Sequence, residues 1–304
     1  MSKRIALIIH NDTYHDPSLS RLKMPVADIH TLAMVLRQPT IGNFNRVETL
    51  LNQPVGEVRR WVADLFHRKQ RNDELLLYFI GHSLLDEAGQ LYLAAVDTAL
   101  DSLAETAISA IYLTACMDRS FSRRQMLLLE CSYNQICPTR AGNGLRASAG
   151  LATAFKGRGY GRVVLTAAHA VQYILAEDKI ADETTSPGFT YYLIQGLQTG
   201  AADIDQDGQI ELRELYEYVQ GQGGQATSCL QPRQWTRGDP GKFIIARNPH
   251  QFEPARLIKW DLIFGAIMTP TTIIVIGGGA DLRASVGMAG LFLLLYALLY
   301  LAPD

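Results

Sequence analysis

Residues 127 to 135 read LLLECSYNQ, and residues 75 to 83 read LLLYFIGHS. Each is a short, wholly apolar run that stops at small polar residues, the pattern of a strand buried on both faces of a parallel sheet. The first stretch ends in two adjacent nucleophiles, Cys131 and Ser132, and the second ends in a histidine, His82. In open α/β sheets the reactive groups collect at the carboxyl ends of strands. A histidine and a Cys/Ser pair at two such ends have the makings of a nucleophile–base dyad. Which of the two neighbours faces the histidine is the question that decides the chemistry.

Outward from these two stretches the pattern repeats. Apolar runs at 5–9, 47–51, 75–80, 126–129, 163–166 and 243–246 read as strands. Helical patterns lie between them, at 26–37, 55–69, 108–119, 189–197 and 212–219. Alternation of this kind predicts an α/β domain with a mostly parallel sheet and helices on both faces. Segment 138–161, rich in Gly, Ala and basic residues, reads as a long loop.

The chain has 304 residues and a formal charge of −2, without a basic run, so nucleic acid is not an expected partner. Its four cysteines, Cys116, Cys131, Cys137 and Cys229, form neither a disulfide framework nor a zinc spacing. The five-residue apolar run near the N-terminus is too short for a secretory signal and fits a first strand.

The C-terminal part is different in kind. Residues 262–279 and 286–302 are uncharged runs of 18 and 17 residues. As helices each spans about 27 Å, close to the roughly 30 Å of a hydrocarbon core. Trp260, Tyr296 and Tyr300 lie near the boundaries, and Arg256 and Lys259 precede the first run, which favours a cytoplasmic entry. The expectation is a domain over 1–250, a linker over 251–261, and a two-helix transmembrane hairpin over 262–304, with the soluble domain in the cytoplasm. A buried helical hairpin is the competing reading.

With the order YFIGHS, then ECSYNQ, the chain resembles the caspase-like peptidases, in their bacterial metacaspase-like branch. The family's histidine strand ends in YFSGHG and its nucleophile strand in DCCYSG or DSCHSG. The segments IGNFNRVETLLN, GQLYLAAVDT and WTRGDPGKFIIARNP are also similar to the family's connecting segments, so the likeness runs over residues 3–249. The resemblance implies a caspase-like fold and a Cys–His dyad. Matched motif to motif, the base falls on His82 and the nucleophile position on Ser132, with Cys131 one residue early as an alternative nucleophile. Successive side chains on a strand alternate faces, so Cys131 is expected to point away from His82.

Other departures surround the dyad. Ser83 stands where the family has an oxyanion-hole glycine, Ile80 where a serine is common, and Asn134-Gln135 where it has Ser-Gly. A hydroxyl is a weaker nucleophile than a thiol and needs an oriented base and an oxyanion hole. The resemblance thus implies a degenerate dyad: a pseudo-protease acting by binding or assembly, in the manner of a stress or defence effector. The alternative is an endopeptidase that cleaves after Arg or Lys, inactivated in this sequence by Cys-to-Ser or working through Ser132 or Cys131. Substrate binding is assigned by the same matching to Asp28 and Glu130, two carboxylates able to hold a guanidinium; Asp28 otherwise serves only its own helix. Arg140, Arg146, Lys156 and Arg158 stand where the family's enzymes are cut on activation, or in a solvated linker. Expected partners are a basic peptide or protein, a membrane, and a second copy of the chain.

One more motif stands apart. From Asp203 the chain reads DIDQDGQIELRE, which puts carboxylates at loop positions 1, 3, 5, 9 and 12 and a glycine at 6. This is the twelve-residue EF-hand pattern, with Asp203, Asp205, Asp207, Gln209 (through its carbonyl), Glu211 and Glu214 as the expected calcium ligands; a loop that only keeps the turn geometry is the competing reading. As a single EF-hand it has no second hand to pair with. The remaining histidines, His10, His15, His30, His67, His169 and His250, are scattered and read as structural or solvated.

Overall fold

The computed structural model describes residues 2–22, 26–134, 155, 161–169, 189–226, 233–237 and 242–250. The chain divides into two units, Met1–Gln251 and Phe252–Asp304; the second lies outside the described residues, and with it the expected hairpin at 262–279 and 286–302. Among the described residues no helix is long and apolar enough to cross a membrane.

The elements of the first unit follow in chain order. They are β1 (Arg4–His10), α1 (Val26–Arg37), β2 (Arg46–Leu51), α2 (Val55–Phe66), β3 (Glu74–Leu85), β4 (Leu91–Ala94), α3 (Leu103–Thr106), β5 (Ala107–Ser109), α4 (Ala110–Arg119), β6 (Arg124–Asn134), β7 (Arg162–His169), α5 (Phe189–Thr199), β8 (Gln209–Glu211), α6 (Leu212–Ala226), β9 (Arg233–Arg237) and β10 (Ile244–Arg247). The main sheet runs β2-β1-β3-β6-β7-β9. Its four central pairings are parallel, and β9 closes one side antiparallel to β7.

Period-2 alternation splits the core into two layers. Ala6, Ile8, Leu76, Tyr78, Ile80, Met126, Leu128, Val163 and Leu165 face one side, beneath α1, α5 and α6. Ile5, Leu7, Ile9, Leu75, Leu77, Phe79, Leu127, Leu129, Cys131 and Val164 face the other, against α2 and α4. Apolar residues therefore run without a break along each central strand, as burial on both faces requires. Gly161 opens β7 at φ 75°. A Cβ there would sit 1.7 Å from the Arg123 carbonyl oxygen, so the approach to the sheet admits only glycine.

Three expectations need correction. The strands of the two motifs are longer than their apolar runs. β3 continues through His82 to Leu85 because its far end pairs with β4 (Ser83↔Leu93, Leu85↔Leu91), and β6 continues to Asn134 alongside it. The strand near 243–246 does not join the main sheet; as β10 it pairs with β8 in a separate two-stranded sheet. The helix expected from Ile108 begins at Ala110, because Ala107–Ser109 forms β5 on the edge of β4 and Ser109 caps the helix through the Tyr112 amide.

Leu77 sits in the central strand at 1 % exposure. Leu77→Ala is expected to lower unfolding free energy by about 2–5 kcal/mol, through lost transfer energy plus a cavity. Urea unfolding followed by circular dichroism measures it.

Candidate active site

The parallel register of β3 and β6 runs unbroken from Glu74↔Arg124 to Leu84↔Asn134. It sets His82 opposite Ser132, Gly81 opposite Cys131 and Ile80 opposite Glu130. On the other side of β6, Ser132 is in register with His169 of β7, so a second histidine position flanks it. This neighbour has no signal in the spacing of the sequence, because it depends on which strand pairs with β6.

Cys131 is buried at 4 % exposure among Leu127, Leu129 and the α2/α4 layer. Burial pushes its thiol well above the ordinary range; the Glu130 charge adds to this, and the Ser83 hydroxyl opposes it weakly. A buried thiol that resists ionisation is a poor nucleophile. Glu130 points the other way. Its Oε2 accepts from the Tyr78 hydroxyl at 2.6 Å and from the Thr190 hydroxyl at 2.7 Å, and these two hydroxyls lie 2.8 Å apart. Tyr78 comes from β3 and Thr190 from the first turn of α5, so three distant segments converge on one carboxylate oxygen. Burial, then the Glu130 charge, hold the Tyr78 phenol protonated.

His82 is fully buried. Its Nε2 lies 2.8 Å from the carbonyl oxygen of Ser20. A carbonyl can only accept, so Nε2 carries the proton and Nδ1 is the basic atom of the neutral ring. The Tyr14 hydroxyl accepts from the His82 amide at 3.0 Å and donates to the Asn11 carbonyl at 2.8 Å; the two rings are 4.9 Å apart. The loop from Asn11 to Leu22 reaches this point because it is pinned at both ends. The Leu22 amide bonds the Asp12 carbonyl at 2.9 Å, Asn52 bonds the Asp12 carboxylate at 2.7 Å, and Leu19 is buried beside Leu84 and Tyr92. Sequence reasoning missed Ser20 for a plain reason: its contribution is a backbone oxygen, which any residue supplies.

Asp28 lies in the first turn of α1, half-buried, and burial raises its carboxyl above the usual range. Among the described residues no hydrogen bond or ion pair joins it to Glu130. Ser83 is fully buried beside His82. Arg140, Arg146, Lys156 and Arg158 lie outside the described residues. The calcium-loop candidates gather at the other end of α5. Carboxylate oxygens of Asp203, Asp205 and Glu214 lie within 4.8 Å of one another, whereas Asp207 and Glu211 meet Lys242 instead.

The caspase domain family matches residues 3–222, and the chain belongs to that family. Among solved structures, the one titled "structure of pro-sf-caspase-1" superimposes with a TM-score of 0.50 at 12 % identity, over 80 % of this chain and 94 % of that one. Protein GSU0716 from Geobacter sulfurreducens superimposes with a TM-score of 0.51 at 13 % identity, over 83 % of this chain and all of that one. At such identities the two share the fold with this chain. A search of curated proteins finds no match.

The burial of Cys131 leads to a direct test. Iodoacetamide at pH 8 is expected to modify Cys131 in the folded chain at least about tenfold more slowly than in the urea-unfolded chain. Peptide mass spectrometry reads the ratio.

Proposed function

We propose that this caspase-domain protein is a pseudo-protease that binds basic segments of other proteins. In this reading it is anchored to a membrane by its C-terminal hairpin, and it acts by assembly rather than by cleavage, as a stress or defence effector would. The observation that carries the reading is the register of β3 and β6. The position opposite His82 is Ser132, and the neighbouring thiol of Cys131 is buried in the layer against α2 and α4. Without a thiol in that row, an acyl-transfer step depends on a hydroxyl whose ordinary ionisation lies far above that of cysteine. The oxyanion-hole glycine is also replaced, by the buried Ser83.

The binding half of a peptidase is retained in this reading. Glu130 keeps a carboxylate buried at 3 % exposure and orients it with two hydroxyls. Charge-assisted bonds from a guanidinium or ammonium to a carboxylate are stronger than neutral ones. Asp28, desolvated and on the helix packed against α5, is the second carboxylate offered to the same cation.

One observation favours the alternative of a working endopeptidase. The Ser20 carbonyl fixes the His82 tautomer with Nδ1 as the base, which is the orienting third group that a serine nucleophile needs. The two readings separate on Arg- and Lys-containing reporter peptides. The unaltered chain is expected to bind an Arg peptide without cutting it, Ser132→Cys to gain cleavage, and Glu130→Gln to weaken binding about tenfold, or 1.4 kcal/mol. Cleavage by the unaltered chain that disappears in Ser132→Ala would establish the endopeptidase instead.

A further inference from the structure

The segment between α5 and α6 is a tightly folded acidic loop that lies apart from the dyad. α5 stops at Thr199, and Gly200 turns the chain at φ 69°. A Cβ on Gly200 would lie 2.0 Å from the Asn248 side-chain oxygen, so the turn is pressed against the segment that follows β10. Gln206 and Gly208 then take left-handed conformations, φ 60° and 87°, which fold the acidic loop back on itself.

That folding converges carboxylates on one point. Glu214, 1 % exposed, accepts from the amides of Ile204 and Asp205 through Oε1, both at 3.1 Å, and from the amide of Glu211 through Oε2 at 2.9 Å. Both its oxygens are thereby turned into the loop. Asp203, 6 % exposed, uses Oδ2 to accept from the Gly208 amide at 3.1 Å and from Asn248 at 2.9 Å. Its other oxygen, Oδ1, is buried and takes no hydrogen bond. A buried, unpartnered carboxylate oxygen beside two further carboxylates costs free energy that a bound cation removes.

We infer that this loop is a calcium site formed by Asp203, Asp205 and Glu214. The Gln209 carbonyl would complete the shell, with Asp207 and Glu211 entering it as Lys242 withdraws. The donors are all hard oxygens, without a histidine or cysteine among them, which selects Ca²⁺ over transition metals. Lys242 occupies the rim, its Nζ 2.5 Å from Glu211 and 3.4 Å from Asp207, with 63 % of the side chain exposed. It is a resident cation that competes for two of the six ligands. The missing second hand of a paired EF-hand is replaced within the domain. Strand β8 bonds to β10 (Ala246↔Ile210, Arg247↔Gln209), and Ile210 is fully buried.

The test is calorimetric titration of CaCl₂ into the full chain, first stripped with EDTA, in about 0.15 M KCl. One site per chain is expected, with Kd below about 1 mM and with MgCl₂ at least about tenfold weaker. Asp203→Asn and Glu214→Gln are each expected to weaken binding at least about tenfold. Lys242→Ala, an exposed position that leaves the loop intact, is expected to tighten it several-fold. Saturating calcium should raise the thermal midpoint of the unaltered chain by about 3 °C or more. No heat and no shift in midpoint would overturn the assignment. So would binding that survives Asp203→Asn and Glu214→Gln, or equal affinity for Mg²⁺.

Discussion

The parallel pairing of β3 with β6 is the constraint on which the rest depends. A one-residue slip of β6 against β3 would exchange the two faces of β6. It would bring Cys131 to the histidine row and carry Glu130 into the apolar layer under α2 and α4. Two sets of contacts hold the register against such a slip. On one face Leu127, Leu129 and Cys131 fill the α2/α4 core; on the other Glu130 is hydrogen-bonded to Tyr78 and Thr190. A slipped strand would bury a carboxylate without partners, a cost of several kcal/mol. The Glu130 carboxylate therefore also holds the register that sets Ser132 opposite His82.

α5 links the two ends of the domain that carry charge. Its first turn delivers Thr190 to Glu130, and its last turn leads through Gly200 into the loop of Asp203. The helix also packs on α1, which carries Asp28, and on α6, which begins inside the acidic loop. Groups far apart in sequence are thus joined by one helix.

Much of this was legible in the residues alone. The runs at 5–9, 47–51, 75–80, 126–129 and 163–166 became β1, β2, β3, β6 and β7, because burial on both faces leaves an uninterrupted apolar signature. Short strands escaped for the opposite reason. β4, β5 and β9 are each five residues or fewer, and they pair at edges or beyond the main run of the sheet. Their partners decide their state, and periodicity over so few residues does not. α6 runs on to Ala226 through Gly221, Gly223 and Gly224, past the expected end at Val219. Within the site, the two motifs were enough to bring His82 and Ser132 to adjacent strands, where the register sets them opposite each other. The Ser20 carbonyl, the Tyr14 hydroxyl and Thr190 were not legible, since each arrives by tertiary packing from a segment with no motif of its own.

The central claim is that the functional row of this caspase domain passes through Ser132 and bypasses Cys131. An affinity label that carries an arginine side chain and a chloromethyl ketone tests it, read by peptide mass spectrometry. The account predicts no adduct on the unaltered chain and a single adduct on the Ser132→Cys chain, at the substituted position, with Cys131 unmodified. An adduct on Cys131 in the folded, unaltered chain would contradict it.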